Sequence, residues 1–247
     1  MAETSKSIMD SRYSYGIRYN GHRSNDFGID VAEKEVGFPA KKKTVVAPLA
    51  SNTVIDLSEL YGPTFSERTI KLVFNIVDRR FWTKESMYLQ WTNVVNWLMS
   101  SQGKSPLWDD IMQDYHYLAE VQEAPSFEEL RQFGRLTVVF QCYPFRIYDI
   151  QEFDDIWDTF SFEFGAANKT DYEVNGTYDG ILVSLGIANV PLAITVSGPM
   201  TITINGETFA LTAGKNETTE LVVQPGENRF TLSGTGTAHF EWYREVI

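Results

Sequence analysis

The feature that most constrains the fold of this chain is a strict alternation of apolar and polar residues in two separate stretches. The apolar residues recur at every second position, Ile70, Leu72, Phe74 and Ile76 in the first stretch and Leu136, Val138, Phe140 and Cys142 in the second. A period of two places alternate side chains on one face of a strand. Each stretch therefore predicts a β-strand with one buried face.

The only cysteine of the chain, Cys142, falls on the apolar side of the second stretch. A single cysteine excludes an intrachain disulfide and a zinc site built from several cysteines. Its place in the pattern predicts a buried thiol that packs as a small apolar side chain.

Between the two strands lies one segment with helical rather than strand periodicity. Its apolar residues form one stripe at helical spacing, namely Met87, Trp91, Val94, Val95 and Leu98. Thr83 can cap the start of this segment and Gly103 can end it, so a helix is predicted over about 84–101. A short second helix is predicted at residues 126–129, where Ser126 and Glu129 have the spacing of a capping box.

The second half of the chain is predicted to consist of antiparallel strands joined by tight turns. Asn205-Gly206 and the segment 224–227 have turn chemistry between apolar stretches, as Asn20-Gly21 does in the first half. The segment 233–237, Ser-Gly-Thr-Gly-Thr, is interpreted as a further turn that leads into the last strand. Strands at this spacing without helices between them indicate a β-sandwich.

Charge divides the chain near residue 150. Residues 1–150 carry 17 Lys and Arg against 19 Asp and Glu, a net of −2, whereas residues 151–247 carry 4 against 14, a net of −10. We therefore predict two domains, 1–150 and 151–247. A surface that binds nucleic acid needs clustered Lys and Arg, so specific binding of nucleic acid is not expected.

Catalytic and cofactor motifs are absent from the sequence. His22, His116 and His239 lie in three different predicted segments, and no phosphate-binding glycine loop or nucleophile elbow occurs. Glu33 and Glu35 would share one face of a strand, as a glycosidase pair requires, although a solvated strand face explains them equally. The chain is predicted to be no enzyme and to use no metal or cofactor.

The first residues and the apolar stretches of the sequence indicate where the protein is made. The first six residues, Met-Ala-Glu-Thr-Ser-Lys, lack the basic start and apolar run of a signal peptide. No apolar stretch approaches the length of about 20 residues that spans a membrane. We expect synthesis in the cytoplasm and no insertion into membranes.

Read in order, several phrases resemble the distal tail proteins of long-tailed bacteriophages (siphophages). These phrases are Tyr19-Asn20-Gly21 with residues 24–29, residues 66–78 with Arg68 before the alternating strand, residues 139–145, and residues 224–228 with 233–237. The third phrase departs from the family pattern, which often has an acidic residue before the proline where this chain has Tyr143. The resemblance extends over nearly the whole chain and leaves no room for an inserted carbohydrate-binding module.

The resemblance implies a structural component of the virion. It implies a β-sandwich or barrel-like first domain that forms a homo-hexameric ring, or two stacked rings, at the tail tip, and a galectin-like second domain. Such a ring would join the tail-tube protein above to the hub and to receptor-binding or baseplate proteins below, around a channel for DNA. A near-neutral, aromatic-rich first domain agrees with packing against copies of itself.

The alternative hypothesis is a lectin-like module for host recognition. Alternation in the last strand places Trp242 with Ala238 and Phe240 on the core face, which leaves His239 and Tyr243 on the outer face as candidate glycan contacts. A sugar site needs a few convergent polar groups beside an aromatic ring. Binding of a glycan by the second domain that is lost on changing His239 or Tyr243 would favour this alternative.

Overall fold

The chain folds as two compact units. In this computed structural model the described residues are 15–43, 45–46, 55–56, 64–76, 83–130, 133–149 and 168–247. The first unit comprises Met1–Lys42 with Phe65–Arg146, and the second comprises Lys43–Thr64 with Ile147–Ile247. The predicted boundary at residue 150 lies outside the described residues. A single cut there would also leave Lys43–Thr64 with the first unit.

The strands through the first two-thirds of the chain are β1 (Ile17–Tyr19), β2 (His22–Arg23), β3 (Asp30–Val36), β4 (Lys41–Lys42), β5 (Val45–Val46), β6 (Ile55–Asp56), β7 (Thr64–Phe65), β8 (Arg68–Ile76), β9 (Ser105–Asp109), β10 (Tyr115–Val121), β11 (Ser126–Glu129) and β12 (Gly134–Tyr148). The remaining strands are β13 (Asp171–Ser184), β14 (Val190–Val196), β15 (Met200–Ile204), β16 (Glu207–Leu211), β17 (Gly214–Val223), β18 (Gly226–Glu241) and β19 (Glu245–Val246). One α-helix, α1 (Lys84–Met99), and a 3-10 turn, Ser24–Phe27, complete the described elements.

The first unit is an antiparallel sheet with strand order β2-β1-β9-β10-β12-β8-β3, and β11 pairs with β12. The two strands predicted from alternation are adjacent in it, with Ile70 opposite Phe140 and Phe74 opposite Leu136. Their alternating side chains, Cys142 included, are buried, as predicted. The N–H of Val31 in β3 donates to the carbonyl of Tyr15, just before β1, at 2.9 Å, so the two ends of the sheet meet. The sheet therefore curls around its core.

Helix α1 covers this core. The hydroxyl oxygen of Thr83 accepts a hydrogen bond from the N–H of Ser86 at 3.2 Å, which confirms the predicted cap. The helix ends at Met99, two residues before the predicted end, because Ser100 takes the C-cap position and Gly103 lies beyond it. Its buried residues are Met87, Val94, Trp97 and Leu98, so the predicted stripe is the face that packs on the sheet.

The predicted short helix at Ser126–Glu129 is wrong, because these residues form strand β11. Ser126 pairs with Thr137 and Glu129 with Gly134 on β12. A capping box stabilises a helix only when a longer helical stretch follows it. Four residues alone form more backbone hydrogen bonds by pairing with a neighbouring strand than in a single helical turn. Tertiary pairing therefore overrides the local signal.

The second unit contains an antiparallel sheet with strand order β16-β15-β18-β14-β17, and β13 pairs with β18 along its length. The predicted Asn205-Gly206 turn joins β15 to β16, with φ of 53° at Asn205 and 86° at Gly206. Inward side chains from β13 to β18, together with Trp242, form one buried apolar cluster. The chain is thus mainly β with one described α-helix, in agreement with the predicted fold class.

The predicted turn at residues 233–237 is wrong, because β18 runs through it without a break. On one edge of β18, β15 pairs with residues up to Gly234, and β14 pairs from Ala238 onward. A Cβ on Gly236 would lie 2.3 Å from Ser197 Oγ, and φ there is 138°. The glycines therefore permit a close approach where the strand changes partners, and they do not reverse the chain.

Candidate interaction surfaces

The two candidate glycan residues lie on the outer face at the end of β18. His239 Nδ1 is 2.8 Å from Asp171 Oδ1, and the hydroxyl of Tyr243 donates to Glu241 Oε1 at 3.2 Å. Tyr243 is 40% exposed, and burial together with the Glu241 carboxylate raises the pKa of its hydroxyl. Trp242 is buried in the core, as alternation predicted.

Further polar groups join this face through the neighbouring strands. His239 and Lys215 both lie opposite Thr195, on either side of β14. Lys215 Nζ is 3.1 Å from Glu241 Oε2, next to Tyr243. The tertiary structure therefore brings an ammonium and a carboxylate beside one half-exposed aromatic ring, with the imidazole of His239 further along the same strand.

The carboxylates of Glu33 and Glu35 contact cations and not a common reacting centre. Glu33 forms an ion pair with Arg135 on β12, and Glu35 lies 3.9 Å from Lys71 on β8. Both are side chains on the outside of the first unit. The sequence allowed two explanations for Glu33 and Glu35, a glycosidase pair or a solvated strand face. This arrangement agrees with the solvated strand face.

A buried ionic cluster, which sequence reasoning missed, lies at one end of the first sheet. Asp109 at the end of β9 contacts the ammonium of Lys34 from β3, and its Oδ2 accepts a hydrogen bond from the hydroxyl of Tyr15 at 2.8 Å. Burial, followed by repulsion from Arg146 and Arg68, lowers the pKa of Lys34. Burial and the Asp110 carboxylate raise the pKa of Tyr15 to about 12.

Arg68 adds a fully buried cation to the same end of the sheet. Its Nε donates to the carbonyl of Gly37 at 2.7 Å and Nη1 to that of Pro144 at 3.3 Å. Its guanidinium also lies 5.3 Å from the ring of Tyr117. The sequence contained a signal for the burial of Arg68, because Arg68 lies two residues before Ile70 and therefore on the core face of β8.

Among the residues that the structure describes, no three His, Cys, Asp or Glu side chains group as metal ligands would. The three histidines occupy separate strands there, His22 on β2, His116 on β10 and His239 on β18. Within the same residues no helix has the length and apolar content of a membrane span.

No family model matches the sequence, and no curated protein does. Among solved structures, the chain is similar to the crystal structure of the Dit protein of phage SPP1, with a TM-score of 0.59 and 10% identity over 94% of this chain and 99% of that one. That protein is described as a paradigm of the hub adsorption apparatus in phages that infect Gram-positive bacteria. The shared fold thus includes both units.

Two structures of the phage p2 baseplate in its activated conformation also match. The one with Sr has a TM-score of 0.38 and 8% identity, and the one with Ca has a TM-score of 0.36 and 9% identity. Each match covers 93% of this chain and 97% of the other.

Proposed function

We propose that this chain, which has the fold of a siphophage distal tail protein, is a structural protein of a phage tail. It forms a hexameric ring at the tail tip and joins the tail tube to the hub and the host-adhesion proteins, around a channel for DNA. Its role is to hold other proteins in place and not to catalyse a reaction. The protein is made in the host cytoplasm and is incorporated into the virion.

The observation that carries this proposal is the extent of the fold similarity. It includes 94% of this chain and 99% of the SPP1 protein, so neither chain has a large domain that the other lacks. At 10% identity the feature that the two chains share is the fold. The order of sequence phrases points independently to the same family.

The surface of the first unit supports a role in assembly. Several large apolar side chains are exposed on it, among them Phe38, Leu89 and Ile111. A large apolar side chain that is exposed to water gains free energy when another protein covers it. A near-neutral first half with such surfaces suits self-association, while the acidic second half keeps free copies soluble.

The test is the mass and shape of the purified protein. We expect mass photometry to give six times the 28.2 kDa of one chain, or twice that for stacked rings, and negative-stain images to show a six-fold ring with a central hole. The ring should bind a tail-tube protein. A monomer at high concentration that also fails to bind a tail-tube protein would contradict the proposal.

Glycan binding by the second unit is a second candidate function. It is favoured by the half-exposed ring of Tyr243, which has Glu241, Lys215 and His239 on the same face. Sugars stack on such rings and bond to nearby charged groups. This site would act in host recognition within the same tail structure.

A glycan array with the whole protein tests this candidate. We expect saturable binding to a cell-wall glycan that is lost in Tyr243→Ala and in His239→Ala. Arg229→Ala, at the other end of the same strand, where Arg229 pairs with Ile181 and not with Asp171, is the matched control and should bind as the wild type does. Equal binding by all three variants would assign the glycan to another surface.

A further inference from the structure

Lys34 and Asp109 lie on the core face of the first sheet, on two strands that are not neighbours in its order. Lys34 on β3 is opposite Leu72, and Asp109 on β9 is opposite Ile17, and both of these apolar residues are buried. Residues directly opposite each other on paired strands project to the same face. The ammonium of Lys34 and the carboxylate of Asp109 therefore meet on the inside of the unit, where they are in direct contact.

The surroundings of Lys34 favour its neutral amine, in contrast to those of Lys104. Lys104 Nζ lies 2.8 Å from Glu67 and 3.0 Å from Glu120, and its hydrogen bond to Glu67 raises its pKa. Lys34 is instead partly buried near two guanidinium groups, and burial followed by this repulsion lowers its pKa. A lysine that is desolvated beside other cations is the kind that acts as a nucleophile in proteins.

The carboxyl group of Asp109 accepts hydrogen bonds from uncharged donors on both of its oxygens. Oδ1 accepts from the N–H of Ile111 at 2.7 Å, and Oδ2 accepts from the hydroxyl of Tyr15 at 2.8 Å. Donors placed in this way stabilise the negative charge that develops on oxygen when a nucleophile attacks the carboxyl carbon. Burial raises the pKa of Tyr15 to about 12, so its hydroxyl keeps its proton at neutral pH and remains a donor.

The fold keeps the two groups together and excludes most of the water around them. The side chain of Asp109 is 10% exposed and that of Lys34 is 22% exposed. Two reacting groups that a folded protein holds in contact react as parts of one molecule, which gives them a very high effective concentration. Removal from water also makes the charged pair less favourable relative to a neutral amine and a neutral acid.

We propose that Lys34 and Asp109 condense after folding into an isopeptide bond, an amide between Nζ of Lys34 and Cγ of Asp109. The amine attacks Cγ, the bond from Cγ to Oδ2 breaks, and Oδ2 leaves as water. The ammonium gives up two protons and keeps one on the amide nitrogen. Both protons leave in the water molecule, one of them by a relay through the hydroxyl of Tyr15. The reaction exchanges no net proton with the solvent and consumes no oxidant or cofactor.

This bond joins the two ends of the curled sheet. Strand β3 is at one end of the strand order and β9 is the third strand from the other end, and the N–H of Val31 donates to the carbonyl of Tyr15 at the same seam. The freshly folded protein holds the ion pair, and the amide forms from it on standing. A crosslink between distant residues restricts the unfolded chain, as a disulfide does, so the first unit then resists unfolding more strongly.

The mass of the whole protein tests the bond directly. We expect the wild type, incubated at neutral pH after purification, to lose the mass of one water molecule from its 28.2 kDa. Trypsin cuts after Lys and Arg, so digestion should yield a branched peptide that joins residues 24–41 to residues 105–131. A protein that keeps its full mass would overturn the proposal. So would a loss of water that fragmentation places elsewhere, for example as a cyclic imide at Asp179-Gly180.

Lys34→Arg is the most direct variant, because it keeps the cation and removes the nucleophilic amine. It should keep its full mass, whereas Lys104→Arg, the matched control at the ion pairs with Glu67 and Glu120, should lose water as the wild type does. Loss of water from Lys34→Arg at the wild-type rate would overturn the proposal. Tyr15→Phe should slow the loss by about 100-fold, as removal of a proton-transfer group typically does. An unchanged rate in Tyr15→Phe would overturn the relay.

Incubation of the wild type in guanidinium chloride tests the bond without any substitution. The denaturant separates Lys34 from Asp109, so the mass should stay constant until the protein is refolded. An equal loss of water in the folded and the denatured protein would overturn the proposal, because the fold would then have no part in the reaction. The bond forms within one copy and goes beyond the proposed function. A ring or a monomer in mass photometry therefore decides the proposed function separately from this mass change.

Discussion

The two units differ in the elements that cover their hydrophobic cores. The first covers its curled sheet with helix α1 and buries Asp109 and Arg68 at one end, where Asp109 contacts the partly buried Lys34. The second closes its core with strands, and glycines in β18 let neighbouring backbones approach. Replacing a buried ion pair by apolar residues is often neutral or stabilising, whereas removing one partner alone is costly. The first unit therefore combines a helix with its sheet, whereas the second depends on strand pairing and on close approach of its strands.

Separating the two units is the largest change that tests this contrast. Residues 151–247 expressed alone should fold as a monomeric β-domain, because the apolar cluster of the second unit draws its side chains from residues 172–242. Far-ultraviolet circular dichroism would measure the folding of this fragment, and sedimentation would measure its oligomeric state. A molten or insoluble product would mean that Lys43–Thr64, which belongs to the same compact unit, is needed for folding.

Asp109→Asn should destabilise the first unit by about 3–5 kcal/mol, because it leaves Lys34 without its carboxylate next to Arg68 and Arg146. Denaturant unfolding would measure the loss. Asp114→Asn, at an exposed position, is the control and should change stability by less than about 0.5 kcal/mol. Adding Lys34→Met to Asp109→Asn should restore most of the stability, and failure to do so would contradict the ionic explanation.

Gly236→Ala should destabilise the second unit by about 1–3 kcal/mol, since the new Cβ would lie 2.3 Å from Ser197 Oγ. The measurement is again denaturant unfolding. Gly103→Ala in the first unit has no atom within 4 Å of the new Cβ and serves as the matched control, with a change of less than about 0.5 kcal/mol. Equal effects of the two substitutions would show that the close approach in β18 is not constrained.

Alkaline pH should weaken the first unit through its buried thiol. Burial raises the pKa of Cys142 from 9.0 to about 12, so the folded state favours the neutral thiol. The stability from this group is complete below pH 9 and falls as the pH rises toward 12, by up to about 1.4 kcal/mol per pH unit. Cys142→Ala should show a shallower decline in the free energy of unfolding between pH 9 and 11. An unchanged slope would mean that Tyr15 of the same unit, whose pKa burial also raises to about 12, dominates this range.

Patterns that repeat along the chain were predictable. Alternation identified β8 and β12 as strands with one buried face and Cys142 as buried, and the helical stripe identified α1 with its Thr83 cap. Turns that need a positive φ were also predictable, as at Asn205-Gly206. These features depend on residues close in sequence, whose periodicity or backbone preference expresses the structure directly.

Features made by distant residues were not predictable. The sequence signals for residues 126–129 and 233–237 favoured a helix and a turn, yet strand partners elsewhere in the chain made both of them strand. The cluster of Asp109 with Lys34 and Tyr15 joins residues up to 94 positions apart, and no local spacing indicates it.

The sequence by itself determined that this protein is mainly β with one helix, and its charge is divided unevenly between its halves. Only the tertiary structure decided which strands pair, which charges are buried together and which apolar side chains remain outside. The physical reason is that periodicity tells which face of an element is apolar, whereas burial of that face depends on what other segments pack against it. Leu89 and Ile111 are apolar in the sequence, and the fold alone leaves them exposed.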